Sequence, residues 1–433
     1  MNAPRPAPLH ASHQGRGQHL IKADRGFSSG GLFARLAVIV PAWLFHRILD
    51  RLDAAFDHGR IDGRLPDGTI RVIGGRGPGP QASIDLHSWA ALMRLLLSGS
   101  VGWFKSWMAG EWESDDPVTL LAAFSANRHK LASIGRARGP MRWLNHLHHL
   151  WRRNSRSGAV RNIHAHYDLG NDFYAAWLGK TMVYSSALFD ADHPEEALDK
   201  AQLRKIDAAL DRLDLVEGQH LLEIGCGWGA LGVRAMERHG VTYTGLTLSE
   251  EQAAWAAPLV GPNGRVVLRD YRDETGLYDA IASIEMVEAV GQSYWPDYLD
   301  AIARRLKPGG RAVIQYISID DALFDSYAAN ADFIQTYIFP GGCLISVSRF
   351  KELADKAGLH WQDQTDFPID YAETLQRWRQ AYDVAVAAGR LSAFPADFHR
   401  LWRFYLIYCE AGFRGGGISV AQATLCKPRE QAQ

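Results

Sequence analysis

Glu223 and the three glycines that follow it on alternate positions, Gly225, Gly227 and Gly229, are the residues of this chain whose types and spacing most directly imply chemistry. Glycines so placed let a backbone turn tightly and approach a ligand with no Cβ atoms in the way. A carboxylate just before them can orient an amino or hydroxyl group lying over the turn, and it would repel a phosphate. A dinucleotide site spaces its glycines G-x-G-x-x-G. Here the third comes one residue early, after an acid that suits pyrophosphate badly, so S-adenosylmethionine fits the cradle better than a dinucleotide. A plain strand-to-helix turn remains the bland alternative.

The elements that must hold this cradle follow from the flanking pattern. Leu221, Leu222 and Ile224 make a buried parallel strand, and after the turn a helix runs through about His239, stopping at Gly240. A second strand over 241–246 leads into Ser249-Glu250-Glu251-Gln252, a capping box at the carboxyl end of that strand, where open α/β sheets bind ligands. Thr247 and Gln252 either serve the cap alone or meet ribose or methionine polar groups there. Strands over 266–268, 278–284 and 311–317 alternate with a helix near 294–306, and Asp270, Tyr271 and Arg272 after the third strand can flank an adenine. That rhythm predicts an α/β fold with a doubly wound, Rossmann-like sheet.

The remainder bounds the surroundings. At 433 residues, 47% hydrophobic and 22% charged, the chain has room for two or three globular domains. Its four cysteines show no C-x-x-C pair, so neither a disulfide framework nor a zinc ribbon is expected, and a reducing cytoplasm fits. With a net charge of −1, attraction to a polyanion must come from local clustering. Residues 1–30 have a disordered composition and 31–130 read as a smaller α+β domain with a strand pair about the Pro66-Asp67-Gly68 turn. Leu32–Leu49 reads as an amphipathic helix pair, too interrupted to span a bilayer. Between 117 and 167 there are nine Arg or Lys, six His and no Asp or Glu. Trp143, Leu144, Leu147, Leu150 and Trp151 lie there at helical spacing, so 131–161 is a basic amphipathic linker, either packed on a neighbour or docked on an anionic surface. The aromatic density of 322–413 suits a long apolar slot.

The ordered set His166–Tyr174, Tyr184-Ser185, LLEIGCGWG, TLSEEQ, RDYRD, Tyr337–Gly342 and Tyr408–Phe413 resembles the cyclopropane-fatty-acyl-phospholipid synthase family, related to the mycolic acid methyltransferases. The resemblance runs more faintly through Gly110–Glu113, so it spans all but about the first thirty residues. It implies a class I methyltransferase domain over 162–433 that transfers a methyl group from S-adenosylmethionine to a cis double bond of a phospholipid acyl chain. Cofactor contacts then fall on Tyr184, Ser185, Leu221, Glu223, Gly225, Cys226, Gly227, Gly229, Thr247, Ser249, Gln252, Tyr271 and Arg272. Family synthases use a bicarbonate as base, held by a Cys, a Glu, a His and a Tyr. Glu288 matches the Glu, but the aligned positions of the others are Ser186, Gln315 and Arg379, so bicarbonate lacks its usual ligands. Glu285, at a position that is glycine in typical synthases, is placed to take over as base with Glu288, or to do no more than salt-bridge Arg379. Cys409 matches the family's C-terminal cysteine and enters as a third catalytic candidate, although a thiol among Tyr and Phe reads as pocket wall. The same methyl transfer followed by proton loss from a neighbouring carbon gives a branched chain instead of a ring. The expected setting is cytoplasmic, peripheral on the inner face of the membrane. The expected partners are an unsaturated phospholipid, an anionic membrane surface and a second copy of the chain, with no metal and no nucleic acid. A catalytically silent lipid binder and a nucleic-acid methyltransferase are the readings of another class.

Overall fold

The computed structural model describes residues 16, 17, 20, 39–134 and 169–429. Most of the basic linker, the larger part of the N-terminal segment and His166–Asp168 lie outside the described residues.

Seven strands form the large sheet: β5 (His220–Ile224), β6 (Thr242–Thr247), β7 (Gly264–Leu268), β8 (Tyr278–Ile284), β9 (Leu306–Ile319), β10 (His360–Asp366) and β11 (Ile418–Cys426). Their order is β10-β11-β9-β8-β5-β6-β7. From β5 the chain moves outward to β6 and β7, then returns to the other side for β8 and β9. The crevice at the carboxyl ends of β5 and β8 is therefore the switch point where such sheets bind ligands. The sheet departs from wholly parallel in one strand, since β11 runs antiparallel to both β9 and β10. The long helix before β11, Ala396–Arg414, delivers the chain to the far end of β9, with Ile418 opposite Ile319. Apolar periodicity does not record which way such a strand runs. Lys307–Gly310, which falls between the helix and the strand expected from sequence, is taken into β9 as an irregular stretch with Gly309 at φ 79°.

Four strands, β1 (Arg60–Arg64), β2 (Ile70–Gly74), β3 (Gln81–Leu86) and β4 (Trp112–Glu113), form a second sheet in the order β2-β1-β3-β4. The β1–β2 hairpin closes over Asp67, whose Oδ1 accepts from Thr69 N at 3.0 Å, with Gly68 left-handed at φ 85°. This N-terminal unit shares its apolar core with the helices after β9. Phe104 lies 4.5 Å from Phe333 and 5.2 Å from Phe404, and Trp107 carbonyl accepts from Arg400 Nε at 2.8 Å. A buried ion pair, Arg94 with Glu111 at 3.0 Å, braces the helix Ala90–Met108 against the β4 turn. Of the described residues of the N-terminal segment, Leu20 is buried in this core, Gly17 packs on the Phe398 ring, and Arg16 pairs with Asp172 at 2.9 Å.

Candidate active site

The strand β5 ends at Ile224 and the chain turns through Gly225, Gly227 and Gly229, all with positive φ, into the helix Ala230–His239. Each glycine has its own reason. A Cβ on Gly225 would strike the Met286 side chain and one on Gly229 would press on Ala256, whereas one on Gly227 would meet no atom of the described residues within 4 Å. Gly227 is thus the residue whose missing side chain leaves room for a ligand. Gly225, Cys226 and Gly227 line a cavity of about 770 Å³ that also takes in Glu223, Thr247, Gln252, Tyr271 and Arg272. Leu221 and Gly229 do not reach it. Leu221 is buried under the sheet, its side chain facing the opposite way to its neighbours in the strand, and Gly229 serves helix packing.

Ser249 does not line the cavity either. Its Oγ accepts from Gln252 N at 3.3 Å, so it caps the helix Glu250–Val260. The expected capping box is only half formed, because Gln252 Oε1 accepts from Thr247 Oγ1 at 2.8 Å and Ser249 N donates to Thr247 Oγ1 at 3.1 Å instead. That linkage holds the Gln252 amide at the cavity. On the far lip, Asp270 grips Arg272 through Nε at 2.8 Å, and the guanidinium lies 5.6 Å from the Tyr271 ring. Asn171, from the motif upstream of the sheet, accepts from Trp228 Nε1 at 2.7 Å, and Tyr174 packs 5.1 Å from the same indole. The upstream segment therefore closes on the cradle.

Glu223 is 3% exposed, its Oε2 accepts the Tyr243 hydroxyl proton, and burial pushes its carboxyl up to about 8. A cation brought over the glycines would return it to the carboxylate. Tyr184 shares a 2.7 Å hydrogen bond with Tyr405. Ser185 accepts at its hydroxyl from Lys205 Nζ, and at its carbonyl from Gln202 Nε2, at 2.7 and 2.8 Å.

Glu285 and Glu288 both line the cavity beyond the cradle. Glu285 has φ 49°, in the left-handed region where glycine is at ease, so a carboxylate is held here against backbone preference. Its Oε1 accepts from Ser186 N at 2.8 Å and Gln315 Nε2 at 2.7 Å, and its Oε2 accepts from the Tyr371 hydroxyl at 2.6 Å. Gln315 is itself held by Gln422 at 3.1 Å. Burial raises the Glu285 carboxyl, and burial together with the neighbouring Glu285 charge raises Glu288 to about 8. Glu288 accepts from Ile317 N through Oε1, while its other oxygen is buried with no hydrogen-bond partner among the described residues. The Glu285 charge thus disfavours ionisation of Glu288, so of the two acids Glu285 is the one that ionises first.

Arg379 is not part of this cluster. It pairs with Glu410 at 2.9 Å, so neither the assignment of Arg379 to the family's tyrosine position nor its proposed salt bridge with Glu285 holds. The tyrosine on the carboxylate is Tyr371, two turns earlier on the helix Pro368–Ala387, which puts it roughly 12 Å along the axis from residue 379. Cys409 lines the cavity, and burial raises its thiol far above the range in which a thiolate forms, so it is pocket wall rather than a catalytic group. Tyr371, Tyr405, Tyr408 and Phe413 form the wall beside it. The cavity continues to Leu95, Trp103, Phe124 and Leu131 of the N-terminal unit.

Lys205 and Tyr371 are the site residues that sequence reasoning missed. Lys205 did leave a trace: it falls on the apolar stripe Ala201, Ile206, Ala209 and Leu210 of the helix Leu198–Asp211, where a lysine has no packing reason to be.

The model of the family described as mycolic acid cyclopropane synthetase matches residues 154–423. The chain belongs to that family. It is 38% identical over 361 residues to the tuberculostearic acid methyltransferase UfaA1 of Mycobacterium tuberculosis, covering 80% of this chain and 83% of that one. It is 31% identical over 367 residues to the cyclopropane-fatty-acyl-phospholipid synthase of Escherichia coli, covering 82% of this chain and 90% of the relative. The solved structure of the mycolic acid cyclopropane synthase CmaA1 with SAH and CTAB superposes with a TM-score of 0.58 at 32% identity, over 62% of this chain and 98% of that one. The chain is a methyltransferase of lipid-modifying type whose methyl donor is S-adenosylmethionine. The open face at Gly227 and the buried carboxyl of Glu223 fit that group.

Proposed function

We propose that this chain adds a methyl carbon to a cis double bond of an unsaturated phospholipid acyl chain, with Glu285 accepting the proton that the product must lose. Bound S-adenosylmethionine supplies an electrophilic methyl group. The observation that carries the reading is Glu285 itself: a carboxylate fixed by three hydrogen bonds in the same cavity as the glycine cradle, together with a second acid and a wall of tyrosines. An alkene is a weak nucleophile, so the apolar slot must hold it in line with the methyl group and keep out water that would capture the cation formed on the chain. The tyrosine faces stabilise that cation without reacting with it. Glu285 then takes a proton while Tyr371 and Gln315 keep its oxygens in place.

Loss of that proton from the new methyl group with bond formation across the chain closes a cyclopropane ring. Loss after a hydride shift leaves a branch. The branch is the second reading, favoured by the higher identity to a relative named for a methyl-branched acid, 38% against 31% for the ring-forming synthase. Lipids from a host that makes monounsaturated phospholipids, fed methyl-labelled methionine while expressing this chain, are expected to gain one CH2 in mass with the label in the acyl chain. Fragmentation separates ring from branch. Unchanged acyl chains on lipid that copurifies with the protein would identify a silent binder.

For access to the bilayer the structure supports the helix Ala42–Ala54. Trp43 is 59% exposed on it, with Ile39 just before at 76% and Ile70 on β2 at 76%. Arg47 and Arg51 follow Trp43 at intervals of one turn, with the Arg47 guanidinium 5.9 Å from the Trp43 ring, a pattern suited to an anionic lipid surface. Among the described residues no helix is long and apolar enough to cross a membrane. Trp43→Glu combined with Ile70→Glu is expected to weaken sedimentation with phosphatidylglycerol vesicles about tenfold or more, since both changes remove apolar anchors and add negative charge. S-adenosylmethionine affinity is expected to be unchanged. Equal pelleting of both proteins would assign docking elsewhere.

A further inference from the structure

Lys205 is a buried cation that the chemistry above leaves unused. It is 1% exposed, yet it lines the same cavity as Gly225 and Gly227. Among the described residues one hydrogen bond holds its ammonium, the 2.7 Å contact to Ser185 Oγ. An ammonium has three donors, and a buried charge with donors unused is costly. The charged groups that face it are Glu223 at the end of β5 and Glu285 after β8, and both favour its protonated form, while burial opposes it and lowers it to about 8. Neither accepts a hydrogen bond from it. Glu223 takes the Tyr243 hydroxyl, and Glu285 takes Ser186, Gln315 and Tyr371.

The donor's methionine portion carries an ammonium and a carboxylate. Glu223 suits the first. The second would meet repulsion from Glu223, Glu285 and Glu288 unless a cation receives it. Arg272 on the far lip is taken by Asp270 through both Nε and Nη2, and Arg269 by Glu274 at 2.8 Å. We propose that Lys205, with the Ser185 hydroxyl it orients, is the subsite for the α-carboxylate of S-adenosylmethionine. The site then offers a buried cation and a buried acid to the two charges of one zwitterion. This rests on the donor assignment and not on the lipid chemistry.

The test is calorimetric titration of the full chain, without lipid, by S-adenosylmethionine and by its decarboxylated analogue. For the native chain the analogue is expected to bind about tenfold or more weakly, the scale of losing one partner of a buried charge pair. In Lys205→Met that ratio is expected to fall to within about twofold, the loss falling on S-adenosylmethionine. Lys205→Gln keeps a donor for Ser185 without the charge and carries the same test should the methionine variant melt early. A ratio unchanged from the native chain, with both ligands weakened alike, would overturn the proposal by making Lys205 a packing residue. Unchanged affinities with a displaced pH profile for product formation would overturn it too, by making Lys205 a partner of Glu285.

Discussion

Glu285→Gln is expected to bind S-adenosylmethionine normally and to lower lipid product formation by about a hundredfold or more, the usual scale for removing a general base. The amide oxygen can still accept from Ser186 N and Gln315, and the Tyr371 hydroxyl can turn to accept from the new amide nitrogen, so thermal stability should be retained. Glu288→Gln reports on the pair. A base must be ionised to work, and burial raises the Glu285 carboxyl, so activity rises with pH as Glu285 loses its proton. The Glu285 charge raises Glu288, so Glu285 ionises beside a protonated Glu288, and Glu288→Gln, which mimics that neutral acid, is expected to leave the acid limb of the pH–rate profile in place. Full activity in Glu285→Gln, or activity that requires added bicarbonate, would transfer the base's role to an anion assembled at Ser186 and Gln315.

Gly227→Val is expected to abolish S-adenosylmethionine binding in a chain that still folds. Among the described residues the added Cβ meets no neighbour within 4 Å, so the side chain starts into the space a ligand must enter. Its φ of 52° makes the change strained, costing roughly 1–2 kcal/mol of stability. Gly229→Val is the informative contrast, because its Cβ presses on Ala256 and should damage the fold before it damages the site. Calorimetric affinity near the native value in Gly227→Val would mean that the donor lies elsewhere.

What could be read from sequence was local. The LLEIGCGWG turn, the stop at Gly240 and the Ser249 cap follow from backbone sterics and short-range hydrogen bonds, and the structure shows each of them. The Glu285 neighbourhood was legible only in part. Ser186, Gln315 and Glu288 were named as its surroundings, but the hydroxyl that meets Glu285 comes from residue 371, and nothing in the spacing of Tyr371-Ala372-Glu373-Thr374 tells which turn of a twenty-residue helix faces the cavity. Arg379 drew attention by charge, and its partner Glu410 lies on another helix. The reversed direction of β11 and the union of the N-terminal unit with the helix Ala396–Arg414 also rest on pairings between distant residues, which periodicity does not encode.

That union governs how the chain can be made. Phe104 packs on Phe404, Trp107 carbonyl waits for Arg400, and Ser125 Oγ donates to the carbonyl of Gly416, all across nearly 300 residues. At translation rates of roughly 5–20 residues per second, the N-terminal sheet emerges tens of seconds before the helix that covers its apolar face. For that interval the faces of Phe104 and Trp107 that meet Phe404 are open to solvent on a nascent chain, and the N-terminal unit is a domain whose core is completed only by the last part of the chain to be made.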